Sequence, residues 1–554
     1  MPSLNPPHFL VSTAIDRQTI RAQELRVRRF LVTAAQFVAP CLTALTLWGT
    51  IQLPSLFWLS FLAMIPFAAL LLCRPSVAGC VGSYLGGLLY FLVGTDWIRT
   101  IDQGMYWYGP RVGDWLLQAC LLALSWPAMY LVGCVIHRRT RLCMSVALPM
   151  IWICYEFLLR HMWTIIDGNG WYMTKIAYAL VNRLTLIQIA DVGGLYAVAA
   201  VIAVVNGALV DCIILRRKAL ISVALASSLL ATSALYGVWR LSQSPDGRGP
   251  VVWLMPPEPR RIWESAFDPK QPGTLLVWSE NVLDEPILDK APDFDEKWLE
   301  CAPPGAIEHC DDDPAYVRGE LLRYAQALRA TLVVGAPRIA FRNNGVFTYN
   351  SAVCIDAELG YQGCYDKVWL VPWVETTPYH RIALDGGQSL ELTPGDCYPI
   401  FGTSHGQRFA IAICYDAMFP ELFRRYLKDK PDFFVICSSE MTDKTLRVQR
   451  ETFVCGQFRA IETRRAVVRN VRNGYSGMFD GNGRVIARAE GMDLDQPCSL
   501  GRVPIDDRFS FYSWSGDWLP ITASLSCLLL LIPRSLVARC PLLMASLQIE
   551  QGGG

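Results

Sequence analysis

From Phe30 to Cys73 the chain carries no charged residue, a run of 44. One bilayer span takes about 20 apolar residues, so the run predicts two spans with a turn near Gly49 to Pro54. Pro75–Thr95 and Trp115–Ile136 are also uncharged and predict spans three and four. Ser145–Leu159 predicts a fifth, with Glu156 inside it. Val192–Val210, between Asp191 and Asp211, predicts the sixth, and Ala219–Trp239 the seventh. Trp518–Pro533 predicts a short eighth that ends at Arg534.

Between the last two spans the pattern changes. Val251–Met255, Thr274–Trp278, Ala330–Val334, Tyr349–Ile355, Arg408–Ile413 and Asp432–Ile436 are short runs rich in Val, Ile and aromatics, which read as strands. Ala466–Val471 and Arg484–Ala489 read likewise, with a turn at Asp480-Gly481-Asn482-Gly483. Pro314–Ala330 and Asp416–Leu427 have helical spacing of apolar positions. Strands mixed with helices over residues 250–505 predict one large α/β domain. There is no internal repeat, Walker loop or GxGxxG.

Composition sharpens this division. Of 554 residues 52% are hydrophobic and only 18% charged, which excludes a disordered chain, a collagen and a coiled coil. Residues 30–240 hold 20 of the 99 Asp, Glu, Lys and Arg. The net charge of +1 gives no sign of a nucleic-acid partner. Lys and Arg favour cytoplasmic loops. With the N-terminal tail inside, twelve of them fall in inside segments and five in outside loops before span seven. The expected organisation is a cytoplasmic tail (1–29), a seven-span bundle (30–240), an extracytoplasmic domain (250–505), an eighth span (514–538) and a second cytoplasmic tail (539–554). Glu156, Asp191 and Asn206 are polar positions at or within spans, which interhelical hydrogen bonds would explain. The domain holds nine of the 19 Cys without a CxxC, so no metal site is expected, and Cys301 and Cys310 are the nearest pair for a disulfide.

Three places carry candidate chemistry. Glu280 follows the strand Thr274–Trp278, and Cys414 follows Arg408–Ile413 and opens a helical stretch. Between them, Tyr365-Asp366-Lys367-Val368-Trp369-Leu370-Val371-Pro372-Trp373-Val374-Glu375 sets a Lys and a Glu eight apart. Sites of open α/β sheets gather at the carboxyl ends of strands. A helix N-terminus at Cys414 is expected to favour thiolate. A carboxylate can take the thiol proton, and an ammonium can stabilise the oxyanion formed when sulfur attacks a carbonyl.

Glu280, Lys367 in Tyr-Asp-Lys-Val-Trp-Leu-Val-Pro, and Cys414 in Ala-Ile-Cys-Tyr-Asp resemble the Glu-Lys-Cys triad of the nitrilase superfamily. Eight spans around such a domain resemble its membrane-embedded branch, the apolipoprotein N-acyltransferase family. Ala147–Trp152 with Glu156 and Arg160 resembles that family's fifth span; Gln188, Asp191, Gly193, Tyr196 and Asn206 resemble its sixth. The resemblance implies a four-layer α-β-β-α sandwich beside a helical bundle in a bacterial inner membrane, with no cofactor. It implies that Cys414 takes an acyl chain from a phospholipid as a thioester. The α-amine of a diacylglyceryl-cysteine, at the N-terminus of a lipoprotein, then accepts it. Glu280 would be the base and Lys367 the oxyanion partner. Glu375 would hold the lysine, with Tyr415 and Asp416 flanking the nucleophile. Trp263, Asn350 and Trp373 are the substrate-binding candidates that follow from the same resemblance.

The chain departs from the family in three places. Asp416 stands where Glu is usual. Cys437-Ser438-Ser439-Glu440-Met441-Thr442 replaces an Asn-Asp-aromatic-Phe stretch, and Asp167–Trp171 replaces Gly-Phe-Pro-Trp. A membrane-tethered amidase acting on a soluble amide would share the triad, but one span would tether it. A non-catalytic receptor would not need all three triad residues.

Overall fold

The computed structural model describes residues 9–100, 112–167, 173–215, 219–243, 245, 247–257, 273–292, 294–295, 297, 306–309, 312–371, 374–376, 392–440, 446–489 and 494–532. Trp263, Trp373, Cys301, Cys310, most of the outer loop at 167–171 and residues 441–445 lie outside them.

The first half is helical. Helix α1 (Phe9–Gln52) ends where Leu53-Pro54 breaks it. A 3-10 stretch (Pro54–Phe61) and α2 (Ile65–Leu71) return the chain, and α3 (Val77–Gly94) follows. Helices α4 (Val112–Ala123) and α5 (Ser125–Thr140) are separated only by Leu124. Then come α6 (Met144–Asp167), α7 (Ala190–Leu215) and α8 (Leu220–Ser242). Among the described residues, six helical stretches are long and apolar enough to cross a membrane: 23–52, 54–71, 77–94, 115–140, 190–214 and 220–242. The two other expected spans are helices as well. The fifth expected span is the 24-residue α6, with Glu156 and Arg160 inside it, and the eighth is α12 (Trp518–Leu531), only 14 residues long. Phe30, Leu31, Val38, Leu220, Ile221, Leu235, Leu528 and Leu529 are exposed along these helices. Such an apolar exterior suits lipid rather than water. Phe511, Trp514 and Trp518 cluster at the start of α12, as an interfacial aromatic belt does.

Polar groups inside the bundle are used for backbone repair. The Asn206 amide donates to Ser60 O (2.8 Å) and its Oδ1 accepts from Met64 N (2.9 Å), across the break before α2. Asp211 accepts from Met144 N and Ser145 N at the start of α6. Backbone groups freed by a helix break need such partners where water is excluded.

The second half builds two sheets. Strands β1 (Gly247–Leu254), β2 (Thr274–Val277), β3 (Ile287–Lys290), β4 (Ala330–Arg342), β5 (Gly345–Asp356) and β6 (Gly360–Asp366) belong to the first. Strands β7 (Ile400–Gly402), β8 (Arg408–Ile413), β9 (Phe433–Ser439), β10 (Ala466–Arg472), β11 (Gly477–Phe479) and β12 (Val485–Arg488) form the second, and β13 (Cys498–Ile505) returns to pair with β1. The orders are β13-β1-β2-β4-β5-β6, with β3 on β4, and β12-β11-β10-β9-β8-β7. Pairs β1–β2, β2–β4, β8–β9 and β9–β10 are parallel, so the central strand ends point one way in each sheet.

Alternation sorts the faces. Leu275 and Val277 pack with Ala410, Phe434 and Val467 of the second sheet, while Leu276 and Trp278 pack on α9 (Tyr316–Leu328). Beyond the second sheet lie α10 (Pro420–Tyr426) and α11 (Leu446–Thr463). The result is the expected α-β-β-α layering, and α11 is the layer that meets the bundle. Phe458 and Ile461 share one hydrophobic cluster with Tyr178, Ile187 and Val198. Polar bonds fasten the same seam. Thr174 N donates to Glu451 Oε2 (3.0 Å), and Arg464 pairs with the buried Asp191, as does Arg240 from α8 (2.6 Å each).

Candidate active site

Glu280 lies three residues past β2. Gly335 on β4 makes room for it: a Cβ there would come within 2.2 Å of Ser279 O and 2.7 Å of the Glu280 Cα. Lys367 follows the edge strand β6. Its N–H donates to Asn350 O and its C=O accepts from Gly395 N, both at 2.8 Å, so its backbone is held on two sides. Cys414 follows β8 and is one of the few non-glycine residues with positive φ (+49°). A residue held in that strained region turns its side chain sharply off the strand. The turn Cys414–Met418 is a 3-10 stretch, and Phe419 is extended before Pro420 opens α10. The single helix expected over 416–427 is thus two pieces.

The side chains converge. Lys367 Nζ lies 3.1 Å from Glu280 Oε1 and 2.9 Å from Glu375 Oε1. The Asn350 amide donates to the same two oxygens, at 2.6 and 2.7 Å. Glu375 Oε2 accepts from Val371 N (2.7 Å), closing the loop after the lysine. Glu280 Oε2 accepts from Ser439 N at 2.8 Å, and Ser439 O lies 3.8 Å from Cys414 Sγ. The structure therefore brings together Glu280, Asn350, Lys367, Glu375 and Cys414. Asn350 has its amide on the two carboxylates. Ser439, at the end of β9, is the member that sequence reasoning left out. Its contacts are made by backbone, so its side chain gave no signal; only its place beside β8 could have found it.

Asp416 is a tie rather than a participant. Its carboxylate accepts from Tyr365 Oη (2.8 Å), Trp369 N (2.8 Å) and Ile413 N (3.0 Å). It thereby joins the lysine loop to the cysteine turn. Tyr415 packs edge-on to Phe419, which stacks on Trp369 at 4.2 Å.

Electrostatics correct one expectation. Burial pushes the Cys414 thiol up to about 12, Glu280 pushes it the same way, and Lys367 only partly offsets them. A five-residue 3-10 turn does not reverse this, so Cys414 rests as a thiol and not a thiolate. Burial would lower Lys367, but Glu280 and Glu375 hold its ammonium well above the usual range. Burial also raises Asp416 to about 7, against the pull of Lys367. A buried thiol between a carboxylate and an ammonium can attack a carbonyl if its proton leaves during the attack.

The site also faces the bundle. Met418 and Phe419 are buried in the hydrophobic cluster that contains Trp126, Tyr178 and Ile187, and Trp369 and Tyr415 pack against it.

Two family models match the chain. Apolipoprotein N-acyltransferase N-terminal domain matches residues 43–208, and Carbon-nitrogen hydrolase matches residues 293–494. The chain is 28% identical to the apolipoprotein N-acyltransferase of Geobacter metallireducens over 83% of this chain and 88% of that one. It is 22% identical to that of Rhodopirellula baltica over 83% and 90%. For apolipoprotein N-acyltransferase 2 of Treponema denticola the identity is 26%, over 47% of each chain. Among solved structures, a Saccharomyces cerevisiae member of branch 10 of the nitrilase superfamily is similar at 18% identity and a TM-score of 0.33, over 49% of this chain and 95% of that one.

Proposed function

The chain belongs to the apolipoprotein N-acyltransferase family, and from that premise we propose that it moves an acyl chain from a membrane phospholipid to a lipoprotein. The acceptor is the α-amine of an N-terminal diacylglyceryl-cysteine. The observation that carries this reading is the position of the nucleophile turn: Met418 and Phe419, just after Cys414, are built into the bundle's own hydrophobic cluster. A soluble amide would need no such seat; a lipid ester does.

The steps follow from the contacts. Glu280 is held by Ser439 N, and the Ser439 carbonyl faces Sγ, so Glu280 takes the thiol proton as sulfur attacks the ester carbonyl. The Lys367 ammonium stabilises the oxyanion. Collapse expels the lysophospholipid alcohol, which takes the proton back from Glu280, and leaves a Cys414 thioester. The lipoprotein amine then attacks the thioester, Glu280 accepts its proton, and the thiolate leaves to be reprotonated. Glu375 keeps Lys367 in place. Trp263 and Trp373 are proposed to line the acyl path. In this reading the chain lies in a bacterial inner membrane with residues 250–505 on the extracytoplasmic side.

Intact-protein mass tests this. Incubation with phospholipid alone should leave an acyl adduct on Cys414. A diacylglyceryl-cysteine peptide should discharge it, the ping-pong pattern of covalent catalysis. Cys414→Ala should show neither adduct nor transfer. An adduct on another Cys, or transfer by Cys414→Ala, would sink the assignment.

A further inference from the structure

The site is divided between two sheets. Glu280 and Lys367 follow strands β2 and β6 of the first, while Cys414 follows β8 and Ser439 ends β9 of the second. The distance from base to nucleophile is therefore the distance between sheets. Hydrophobic contact holds sheets together but is non-directional, so directional bonds across the gap, such as Ser439 N to Glu280 and Tyr365 Oη to Asp416, are what fix that distance.

A polar bridge crosses the gap. Asn470, on β10 of the second sheet, is 1% exposed. Its Nδ2 donates to two carbonyls of the first sheet: Met255 O at 2.9 Å, just past β1, and Val277 O at 2.6 Å, the last residue of β2. Its Oδ1 is met by Ser476 Oγ at 3.5 Å, and that hydroxyl also accepts from Val471 N at 2.9 Å. The fork is therefore braced from behind. On the Asn470 side, β10 pairs in register with β9: Asn470 lies opposite Cys437 and Arg472 opposite Ser439. On the other side, Val277 is three residues before Glu280. One amide thus grips the strand that carries the base and lies beside the strand that carries Ser439.

We propose that Asn470 is a positioning residue for acyl transfer: by clamping the ends of β1 and β2 to β10, it sets the reach from Glu280 to Cys414 and Ser439. The inference rests on Glu280 being the base in the proposed function. Both hydrogen bonds are directional, and without them two buried carbonyls lose a donor and the end of β2, still paired with β1 and β4, is no longer tied to β10. A misplacement of about 1 Å at reacting groups costs about a hundred-fold in rate.

The test uses full-length protein and two readouts. The first is acylation of Cys414 by phospholipid, followed by intact mass. Asn470→Ala should slow it about ten- to a hundred-fold at saturating phospholipid, with KM unchanged. The second is alkylation of Cys414 by iodoacetamide at pH 8, followed by peptide mass. Burial and, after it, the Glu280 charge hold Cys414 as a thiol, so a receding Glu280 should speed alkylation several-fold. In a Glu280→Gln background, Asn470→Ala should add nothing to that rate. Leu321→Ala, which loosens the packing of α9 on the outer face of the first sheet, should lower Tm without changing Cys414 alkylation. Equal acceleration by Asn470→Ala in both backgrounds would mean loosened packing and overturn the proposal, as would a rise in KM alone. If Asn470→Ala does not fold, Asn470→Ser, too short to span the sheets, carries the same comparison. If the parent protein never forms an acyl adduct, the proposed function fails, while the alkylation cycle still judges the clamp.

Discussion

Glu280 has two effects on Cys414 that oppose each other. Its charge raises the thiol pKa, and in the proposed mechanism its carboxylate takes the proton when attack occurs. Glu280→Gln should therefore make Cys414 easier to alkylate at pH 8 while lowering acylation by about 10² to 10⁴, the usual worth of a general base. If acylation is unchanged in folded Glu280→Gln, the carboxylate is not the base. Glu375→Gln should cost less. Its Oε2 would still face Val371 N, and Lys367 would keep Glu280 and lose only one of two carboxylates. Equal and complete loss in folded samples of both variants would end this division of roles. Glu280, Lys367 and Cys414 were legible in the sequence because each directly follows a strand or sits in a dense motif. The protonation state of Cys414 was not, because it depends on burial by residues far away in the chain.

The elements tell the same story at the next scale. Helix α11 is the cross-beam between catalysis and membrane. Arg459 donates from it to Met418 O (3.1 Å), at the end of the cysteine turn, and Glu462 accepts from Leu195 N (3.2 Å) where α7 is kinked at Gly193–Gly194. Burial pushes the Glu462 carboxyl up to about 7 from an ordinary 4.5, with Arg459 pulling the other way. A carboxyl raised on folding holds its proton more tightly in the folded state. Its contribution is complete below pH 4.5 and is lost as pH rises through about 7. Glu462→Gln should therefore flatten the decline in melting temperature between pH 4.5 and 7 in detergent. A variant with the parent's slope would show that Glu462 does not titrate there. Sequence periodicity located the central strands, but it passed over β6, Gly360-Tyr361-Gln362-Gly363-Cys364-Tyr365-Asp366. As an edge strand it has one neighbour and little need for an apolar run, although Lys367 hangs from it.

At the scale of the whole molecule, the bundle and the sandwich form one unit joined along α11, by Arg464 and Arg240 on Asp191 and by a shared apolar core. Orientation then decides everything about substrate access. With twelve Lys and Arg in the inside segments and five outside, a reporter fused near residue 300 should be active only when exported. Cytoplasmic activity would overturn the topology and with it the lipoprotein substrate.

What the sequence determined by itself was whatever depends on local pattern: the long uncharged runs, the alternating strands, and the residue types at strand ends. Those follow from the cost of burying charge and from side-chain period, both of which act over a few residues. Only the tertiary structure decided the rest. It made Asn206 a splint for a broken helix and Asp416 a tie between two loops. It placed Ser439 between Glu280 and Cys414 and set Asn470 across the sheets. Each of these contacts joins residues tens or hundreds of positions apart, and each is a directional hydrogen bond whose partner exists only after the sheets and helices have packed.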